Sequence, residues 1–414
     1  MLRLIPVFCA LTAHVAFASD EPFRKTIISV ERNLGGGQPW NVRGREITPD
    51  CPVDWSVFKN TYQGGRQEGV ESIELNNGKL FIHVIPTRGM GIRQVWCGDV
   101  LLRWDSPVKE LVHPRFINLQ SRGGLGWLEG FNEWMCRCGL ENSGQPGTDR
   151  FINNQGDEAT MDLPLHGKIA NIPASEVELL VERKPPWRIR LRGRVDERMV
   201  FGPKLELWTE LWTEPGSATF HIEDTVTNRG AQPQEFQMLY HCNFGAPLLE
   251  EGATFVGPVR EVTPFNAHAA SGLDGWTRYA GPTTGYVEQV YALRLFGDAQ
   301  DRTRVMLQNA AGDRAVSMAW SLKELPYLTV WKNTGAVADG YVTGLEPGTS
   351  YPYNRRIERK FGRVPKLAAG ESYRMAVEVA IHADRDDVRP AAEAIRSLQG
   401  GRETKLNREP PEIE

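Results

Sequence analysis

Three short segments of the 414-residue sequence join a titratable side chain to backbone-shaping neighbours. They are residues 163–169 with His166, residues 240–245 with His241, and residues 344–349 with Glu346. Imidazole titrates near neutral pH, and a carboxylate in a partly apolar pocket becomes a stronger base, so these side chains suit general acid–base catalysis. The same three side chains could instead hold a divalent metal ion, although no H-x-H or H-x-x-x-H spacing supports that alternative. We expect neither a metal nor a cofactor.

The composition excludes several classes of function. The formal net charge is −4, with 48 Lys and Arg residues against 52 Asp and Glu residues. Basic side chains form no stripe along the chain, so we expect no nucleic-acid partner. After the N-terminal leader no apolar run approaches the roughly 20 residues that a membrane span needs. We expect a small molecule as the partner, and the sequence leaves the oligomeric state open.

The N-terminus has the pattern of a cleavable signal peptide. A basic start at Arg3 is followed by a largely apolar run over residues 4–15 and by small residues at Ala16 and Ala18. We expect residues 1–18 to be removed and the mature chain to be periplasmic or secreted.

The cysteines give little indication of disulfide bonds or of a zinc site. The six cysteines are Cys9, Cys51, Cys97, Cys136, Cys138 and Cys242. Removal of Cys9 with the leader leaves an odd number at scattered positions, so no disulfide framework is predicted. Export would permit a bridge, but buried free thiols are the simpler expectation. Cys136 and Cys138 are one thiol short of a zinc half-site and have no matching second pair.

Strands must position most of these residues. Apolar and polar residues alternate in four segments, as half-buried strands require: residues 187–192, 205–212, 220–226 and 373–381. One helix is predicted from Asp387, with apolar residues at three-to-four spacing and a stop at Gly400. This pattern predicts an all-β sandwich of large antiparallel sheets. We expect one domain over residues 19–400 and a loose charged tail over residues 401–414.

The order of the motifs carries a family resemblance. A histidine in L-H-G comes first, a histidine in H-C-N-x-G follows, and a Glu-Pro pair lies near the C-terminus. This order resembles the aldose 1-epimerase superfamily, and the resemblance covers roughly residues 70–385. T-R-G at residues 87–89 and C-G-L-x-N at residues 138–142 resemble a narrower bacterial branch. The resemblance implies a galactose mutarotase-like supersandwich with a short C-terminal helix.

The resemblance also implies an activity and the residues for it. The superfamily interconverts the anomers of a free sugar by opening its ring. His241 matches the general acid that protonates the ring oxygen, and Glu346 matches the base that takes the anomeric hydroxyl proton. His166 matches the second histidine, which binds and polarises the sugar. We therefore expect this chain to act on a free aldose or a modified sugar.

Two charged residues are predicted substrate contacts from the same resemblance. Arg88 matches the arginine of T-R-G and is expected to grip a sugar hydroxyl or an acidic substituent. The superfamily's substrate-binding aspartate has no direct counterpart, because Val287 stands at its place. Glu288, one position later, is the candidate that remains.

Further candidates follow from residue type and neighbourhood. Trp127 and Trp134 could form an aromatic wall against the C–H face of a sugar, or could equally be core tryptophans. Asn243 and Lys332 complete the predicted substrate-binding residues. The five remaining histidines of the mature chain are expected to be structural or surface residues: His83, His113, His221, His268 and His382.

Two alternatives to an epimerase stay open. The same fold serves as a carbohydrate-binding scaffold without turnover. A glycan lyase or hydrolase is the other alternative, and a hydrolase usually needs two carboxylates. Glu346 has no obvious carboxylate partner for that role, although Glu288 could be one.

Overall fold

The computed structural model describes residues 21–35 and 37–413. The predicted signal peptide over residues 1–18 lies outside the described residues. Within those that are described, no helix is both long and apolar enough to cross a membrane.

Strands account for most of the regular structure. In the first half of the chain they are β1 (Phe23–Ser29), β2 (Trp40–Arg43), β3 (Ser56–Thr61), β4 (Glu71–Asn76), β5 (Leu80–Ile85), β6 (Gly91–Cys97), β7 (Val100–Leu102), β8 (Met135–Leu140), β9 (Gly147–Ile152), β10 (Glu158–Leu163), β11 (Glu176–Val181), β12 (Ile189–Arg198) and β13 (Lys204–Thr213). In the second half they are β14 (Thr219–Asn228), β15 (Gln234–Glu235), β16 (Gln237–Phe244), β17 (Thr254–Val256), β18 (Val259–Pro264), β19 (Gln289–Leu295), β20 (Arg302–Gln308), β21 (Ala315–Ser321), β22 (Tyr327–Asn333), β23 (Val342–Gly348), β24 (Lys366–Leu367), β25 (Ser372–His382) and β26 (Lys405–Leu406).

Helices are few and mostly short. The α-helices are α1 (Gly44–Ile47), α2 (Ser121–Gly124), α3 (Ala267–Ser271), α4 (Arg355–Lys360) and α5 (Arg385–Gln399). Single 3₁₀ turns are Gly65–Gln67, Pro86–Arg88, Pro114–Phe116, Gly126–Gly130, Ile169–Asn171, Leu273–Gly275 and Val337–Asp339.

Two large sheets contain nearly all of the strands. A nine-stranded sheet has the order β1-β11-β12-β13-β14-β25-β21-β20-β17. A thirteen-stranded sheet has the order β2-β3-β4-β5-β6-β8-β16-β23-β22-β19-β18-β26, with β7 paired to β6. Neighbours in both sheets are antiparallel, apart from the parallel pair β18 and β26. The predicted sandwich of large antiparallel sheets is confirmed.

The main hydrophobic core lies between the two sheets. The four segments predicted as strands overlap β12, β13, β14 and β25, and each alternates buried with partly exposed residues. Ile189, Leu191 and Val195 of β12 are fully buried in this core, together with Met238 and Tyr240 from the thirteen-stranded sheet. Alternation therefore orients one face of each strand towards the opposite sheet, as the sequence pattern predicts.

The predicted C-terminal helix is confirmed as α5. The Asp384 side chain accepts a hydrogen bond from the Asp387 amide at its start, and Gly400 ends it with φ of 62° in the left-handed region. The tail that follows is not loose as predicted. Lys405–Leu406 pairs with β18, and Asn407 Nδ2 donates to Glu261 Oε1 at 2.7 Å. These bonds fix the tail to an edge of the thirteen-stranded sheet.

The centre of the thirteen-stranded sheet is covered on both faces. Strands β8, β16 and β23 are buried along their whole lengths. The nine-stranded sheet covers one face. Side chains from residues 119–131 and 165–170 form a smaller apolar cluster with residues on the other face. Polar residues on that second face are thus enclosed without being part of the main core.

Candidate active site

His241 and Glu346 face each other across two neighbouring strands. The antiparallel register of β16 and β23 pairs Cys242 with Leu345 and Asn243 with Gly344, which sets His241 opposite Glu346. Cys242 and Leu345 belong to the main core. Because side chains alternate along a strand, His241 and Glu346 lie on the other face of the sheet. His241 Nε2 is 3.3 Å from Glu346 Oε1, and both side chains are almost fully buried.

A hydrogen bond from its own strand orients His241. Asn243 Nδ2 donates to the carbonyl oxygens of Glu133 and His241, at 3.0 and 3.2 Å. The amide therefore presents Oδ1 to His241 Nδ1, at 2.7 Å. Since Oδ1 only accepts, Nδ1 carries the proton and the neutral ring presents Nε2 to Glu346 as an acceptor.

Burial gives the two groups opposite shifts in pKa. Desolvation, reinforced by the negative charge of Glu288, raises the pKa of Glu346 well above its usual value. Desolvation, together with the nearby His166, lowers the pKa of His241 well below its usual value. These shifts favour a proton on the carboxyl group and a neutral imidazole. Glu346 Oε1 has no hydrogen-bond partner among the described residues, although it lies within ion-pair distance of His241.

Gly344 leaves room for the Glu346 carboxylate. A Cβ atom on Gly344 would lie 2.4 Å from Glu346 Oε1, well inside van der Waals contact. The absent side chain allows the carboxylate to fold back over its own strand towards β16. Glycine at this position therefore leaves the carboxylate free to stay 3.3 Å from His241 Nε2.

His166 reaches the same place from a turn outside the sheets. Its backbone has φ of 58°, in the left-handed region. Nδ1 lies 2.9 Å from the Ser143 carbonyl oxygen, so Nδ1 donates and Nε2 is left as an acceptor. Burial lowers the pKa of His166 to about 4, so the ring is neutral at neutral pH. Its ring centroid lies 5.2 Å from that of His241, at an interplanar angle of 87°.

These side chains open into a cavity of about 290 Å³. Its polar lining consists of Gln145, His166, His241, Glu288 and Glu346. Its apolar lining consists of Leu125, Trp127, Leu128, Phe131, Leu165, Phe265, Val290, Trp331 and Pro352. The aromatic rings pack against the histidines. The ring centroid of Trp127 lies 4.6 Å from that of His166, and the ring centroid of Trp331 lies 5.4 Å from that of His241.

Two further predicted contacts lie at the cavity. Trp127 lines it, whereas Trp134 packs in the main core against Phe220 and Phe244. Glu288 is exposed at the mouth, and its Oε2 accepts a hydrogen bond of 2.7 Å from Trp331 Nε1. The proposed aromatic wall is therefore built from Trp127 with Trp331 rather than with Trp134.

Arg88 does not reach the cavity, contrary to its predicted contact with the sugar. Its Nε donates to Glu133 at 2.9 Å, one terminal nitrogen donates to Asn171, and the other donates to the Gly130 carbonyl oxygen at 3.1 Å. A Cβ atom on Gly130 would lie 2.7 Å from the guanidinium, so this glycine leaves space for it. Arg88 therefore connects, through hydrogen bonds, the loops that carry Trp127 and His166.

Lys332 and Asn243 also lie outside the cavity lining. The Lys332 ammonium donates to the carbonyl oxygens of Trp276 and Arg278, at 3.0 and 2.6 Å. Burial lowers the pKa of Lys332 to about 8. Side chains alternate along a strand, so Lys332 points away from the face on which its neighbour Trp331 lines the cavity. Asn243 lies beneath His241 and orients it.

Several lining residues were missed because no motif marks them. Phe131, Gln145, Phe265 and Pro352 lie in loops that are far apart in the chain. Trp331 carried a signal that could have been used. It alternates with the core residues Leu328 and Val330 of β22, and its strand pairs with the strand of Glu346.

The structure bears on the metal and cysteine expectations. No group of three His, Cys, Asp or Glu side chains in the described residues is arranged to hold a metal ion. The metal interpretation therefore has no ligand set in this part of the chain. The five cysteines after the leader are free; Cys51 is partly buried, and the other four are buried as expected.

Comparison with known proteins places the chain in a family. Residues 67–381 match a family described as a domain of unknown function, DUF4432. A solved structure from Klebsiella pneumoniae subsp. pneumoniae MGH 78578, named a "putative aldose 1-epimerase", is 38% identical with a TM-score of 0.89. The match covers 95% of this chain and 100% of that one. No curated protein matches the sequence.

A more distant relation supports the fold alone. A galactose mutarotase-like protein from Clostridium acetobutylicum is 15% identical with a TM-score of 0.53, over 79% of this chain and 98% of that one. The predicted galactose mutarotase-like fold is confirmed, while the narrower bacterial branch stays a prediction. The chain belongs to the DUF4432 family and has a galactose mutarotase-like fold.

Proposed function

We propose that this protein interconverts the anomers of a free aldose or modified sugar by acid–base opening of the ring. One observation carries the proposal. His241 Nε2 and Glu346 Oε1 lie 3.3 Å apart at the cavity, and this contact lacks hydrogen-bond geometry, so Glu346 Oε1 is buried without a hydrogen-bond partner among the described residues. A buried polar atom without a partner is costly unless a ligand satisfies it.

The adjacency of the two groups fits the geometry of a hemiacetal. The anomeric hydroxyl and the ring oxygen are bonded to the same carbon, so an acid and a base that serve both must lie side by side. Glu346 takes the proton of the anomeric hydroxyl while His241 Nε2–H gives its proton to the ring oxygen. The bond between the anomeric carbon and the ring oxygen breaks, and a carbonyl group forms.

The same two groups then close the ring. Rotation about the bond between C1 and C2 presents the other face of the carbonyl carbon. The hydroxyl group formed from the ring oxygen returns its proton to His241, and Glu346 returns a proton to the carbonyl oxygen. No net proton is gained or lost, so the pair must begin with one proton. Burial favours that proton on Glu346, so sugar binding must shift it to His241 Nε2, 3.3 Å from Glu346 Oε1, before the ring opens.

The remaining cavity residues would bind the sugar. His166 offers Nε2 to a hydroxyl group, because its Nδ1 is used by the Ser143 carbonyl. Trp127 and Trp331 offer flat apolar surfaces for the C–H groups of a sugar ring. Each such contact can orient the ring without taking part in proton transfer.

A panel of free sugars tests the proposal. Binding would be followed by tryptophan fluorescence, since Trp127 and Trp331 line the cavity, and anomer exchange would be followed by NMR. We expect at least one sugar whose anomers exchange faster with the protein than without it. Binding without faster exchange would instead support a carbohydrate-binding protein. Release of reducing ends from a glycan would support a hydrolase that uses Glu346 with Glu288.

We also propose that residues 1–18 export the protein. The pattern of a basic start, an apolar run and small residues motivates this proposal. Expression of the full chain in a bacterial host should give a periplasmic product whose N-terminus is Ser19, as read by mass spectrometry. An uncleaved product that stays in the cytoplasm would contradict it.

A further inference from the structure

Charge at the cavity is of one sign only. Glu288 lines it as a carboxylate, Glu346 lines it with the proton that burial favours there, and no lysine or arginine from the described residues does so. The two nearby candidates for a cation are occupied elsewhere: Arg88 by Glu133, Asn171 and Gly130, and Lys332 by two carbonyl oxygens. A carboxylate or phosphate on a ligand would therefore be desolvated near the Glu288 carboxylate and without a cationic partner.

The cavity is also poor in hydrogen-bonding side chains. Nine of its fourteen lining residues are apolar. In the proposed reaction His241 and Glu346 serve the anomeric hydroxyl and the ring oxygen. This leaves His166, Gln145, Glu288 and the Nε1–H of Trp127, which has no hydrogen-bond partner among the described residues, for the remaining hydroxyl groups. A hydroxyl pressed against the apolar wall would lose its hydrogen bonds to water, so a C–H group fits there better.

The size of the cavity limits the ligand to a small one. Its volume of about 290 Å³ is at the lower end of the range of ligand pockets, about 300–1,000 Å³. We infer that the cavity takes a single uncharged deoxy sugar and discriminates against sugar acids and sugar phosphates. The inference rests on the proposed function in taking the ligand to be a sugar.

Two matched series of sugars test this inference in the full-length mature protein. One consists of galactose, its 6-deoxy form and galacturonate, and the other of glucose, its 6-deoxy form and glucuronate. Binding and anomer exchange are both measured at a pH at which the uronates are ionised. In at least one series we expect the affinity and the exchange rate of the deoxy sugar to equal or exceed those of its parent. For the uronate, we expect the affinity and the rate of anomer exchange to be at least about tenfold lower than for the parent sugar.

Cavity variants separate charge from shape. Leu128 lies at the cavity and is 44% exposed, so Leu128→Arg would add a cation at the mouth without emptying the core. We expect Leu128→Arg to raise the use of the uronate relative to its neutral parent by about tenfold or more. Leu128→Gln, the matched control of similar length without charge, should leave that ratio near the wild-type value.

Each outcome distinguishes the inference from the proposed function. Faster exchange of uronates than of neutral sugars would overturn the inference and leave the function standing. Binding of neutral and deoxy sugars over uronates, without exchange of any, would support the inference and overturn the function. A parent sugar preferred over its deoxy form by more than about tenfold in both series, or no binding of any sugar, would overturn the inference.

Discussion

At the scale of single residues, the environment of His241 and Glu346 determines what they can do. An exposed glutamate would be ionised and weakly basic at neutral pH, and an exposed histidine would be partly charged. Burial moves the pKa of Glu346 up and that of His241 down. The pair therefore gains its second proton only at a pH well below 6.5, and it holds one proton over a wide range above that.

This proton count predicts a pH profile. Anomer exchange should have a broad plateau and should fall at alkaline pH, as the last proton leaves the pair. The negative charge of Glu288 raises the pKa of Glu346. Removing that charge in Glu288→Gln lowers this pKa, so the alkaline limb should shift to lower pH. The measurement is kcat/KM for exchange against pH, after subtraction of the spontaneous rate. An alkaline limb that shifts to higher pH in the variant would contradict the account.

Residue types in the sequence predicted part of this site. The motifs around His166, His241 and Glu346 predicted a shared site for these three side chains. In the structure they line one cavity with Trp127 and Glu288. The T-R-G motif for Arg88 and residue type for Lys332 suggested contacts with the sugar, but neither side chain lines the cavity. A cationic side chain on a strand or turn can point to either side, and its direction depends on strand register and loop packing.

At the scale of elements, strand β23 shows how a backbone positions the candidate catalytic group Glu346. Glu346 lies beside β16 only because the antiparallel register aligns it with His241, and because Gly344 carries no side chain. The alternation of β12, β13, β14 and β25 could be read from the sequence because one face of each is buried. The loops over the site could not be read, since they follow no period.

Gly344→Ala should reduce activity by displacing a carboxylate. Its Cβ would lie 2.4 Å from Glu346 Oε1, so the carboxylate must leave its present position 3.3 Å from His241 Nε2. We expect anomer exchange to fall by about 100-fold, comparable to the loss of one acid–base group. Gly335→Ala is the matched control, because its Cβ would meet no atom closer than 3.6 Å. Equal exchange rates in the two variants, with both folded by circular dichroism, would refute the role given to Gly344.

At the scale of the whole molecule, a polar bridge joins the two sheets through the apolar core. Arg137 of β8 donates to Asp224 of β14, and also donates to Thr209 of β13 at 2.6 Å. Tyr240 of β16 donates to the same carboxylate at 2.9 Å. Arg137 and Asp224 are both buried, and Arg137 also donates to the Met90 carbonyl oxygen at 3.0 Å, so each charge is satisfied by protein groups. The strands that carry the candidate site are thereby fixed to the opposite sheet.

Breaking this bridge should destabilise the fold more than replacing it. Asp224→Asn leaves the Arg137 charge buried without compensation, which should lower the free energy of unfolding by about 3–5 kcal/mol. The double variant with Arg137→Met should recover at least half of that loss, since both charges are then absent. Urea denaturation of the wild type and the two variants gives the comparison. Equal stability of the wild type and Asp224→Asn would show that the bridge contributes little.

The most direct test of the proposed activity is anomer exchange by Glu346→Gln, measured by NMR beside the wild type with the best sugar of the panel. Glutamine keeps the size of the side chain and its place opposite His241, but it cannot accept the anomeric proton. We predict that the wild type accelerates exchange and that kcat falls by at least about 100-fold in the variant, with sugar binding retained. A variant that exchanges anomers within a few-fold of the wild type would contradict the assignment of Glu346 as the base.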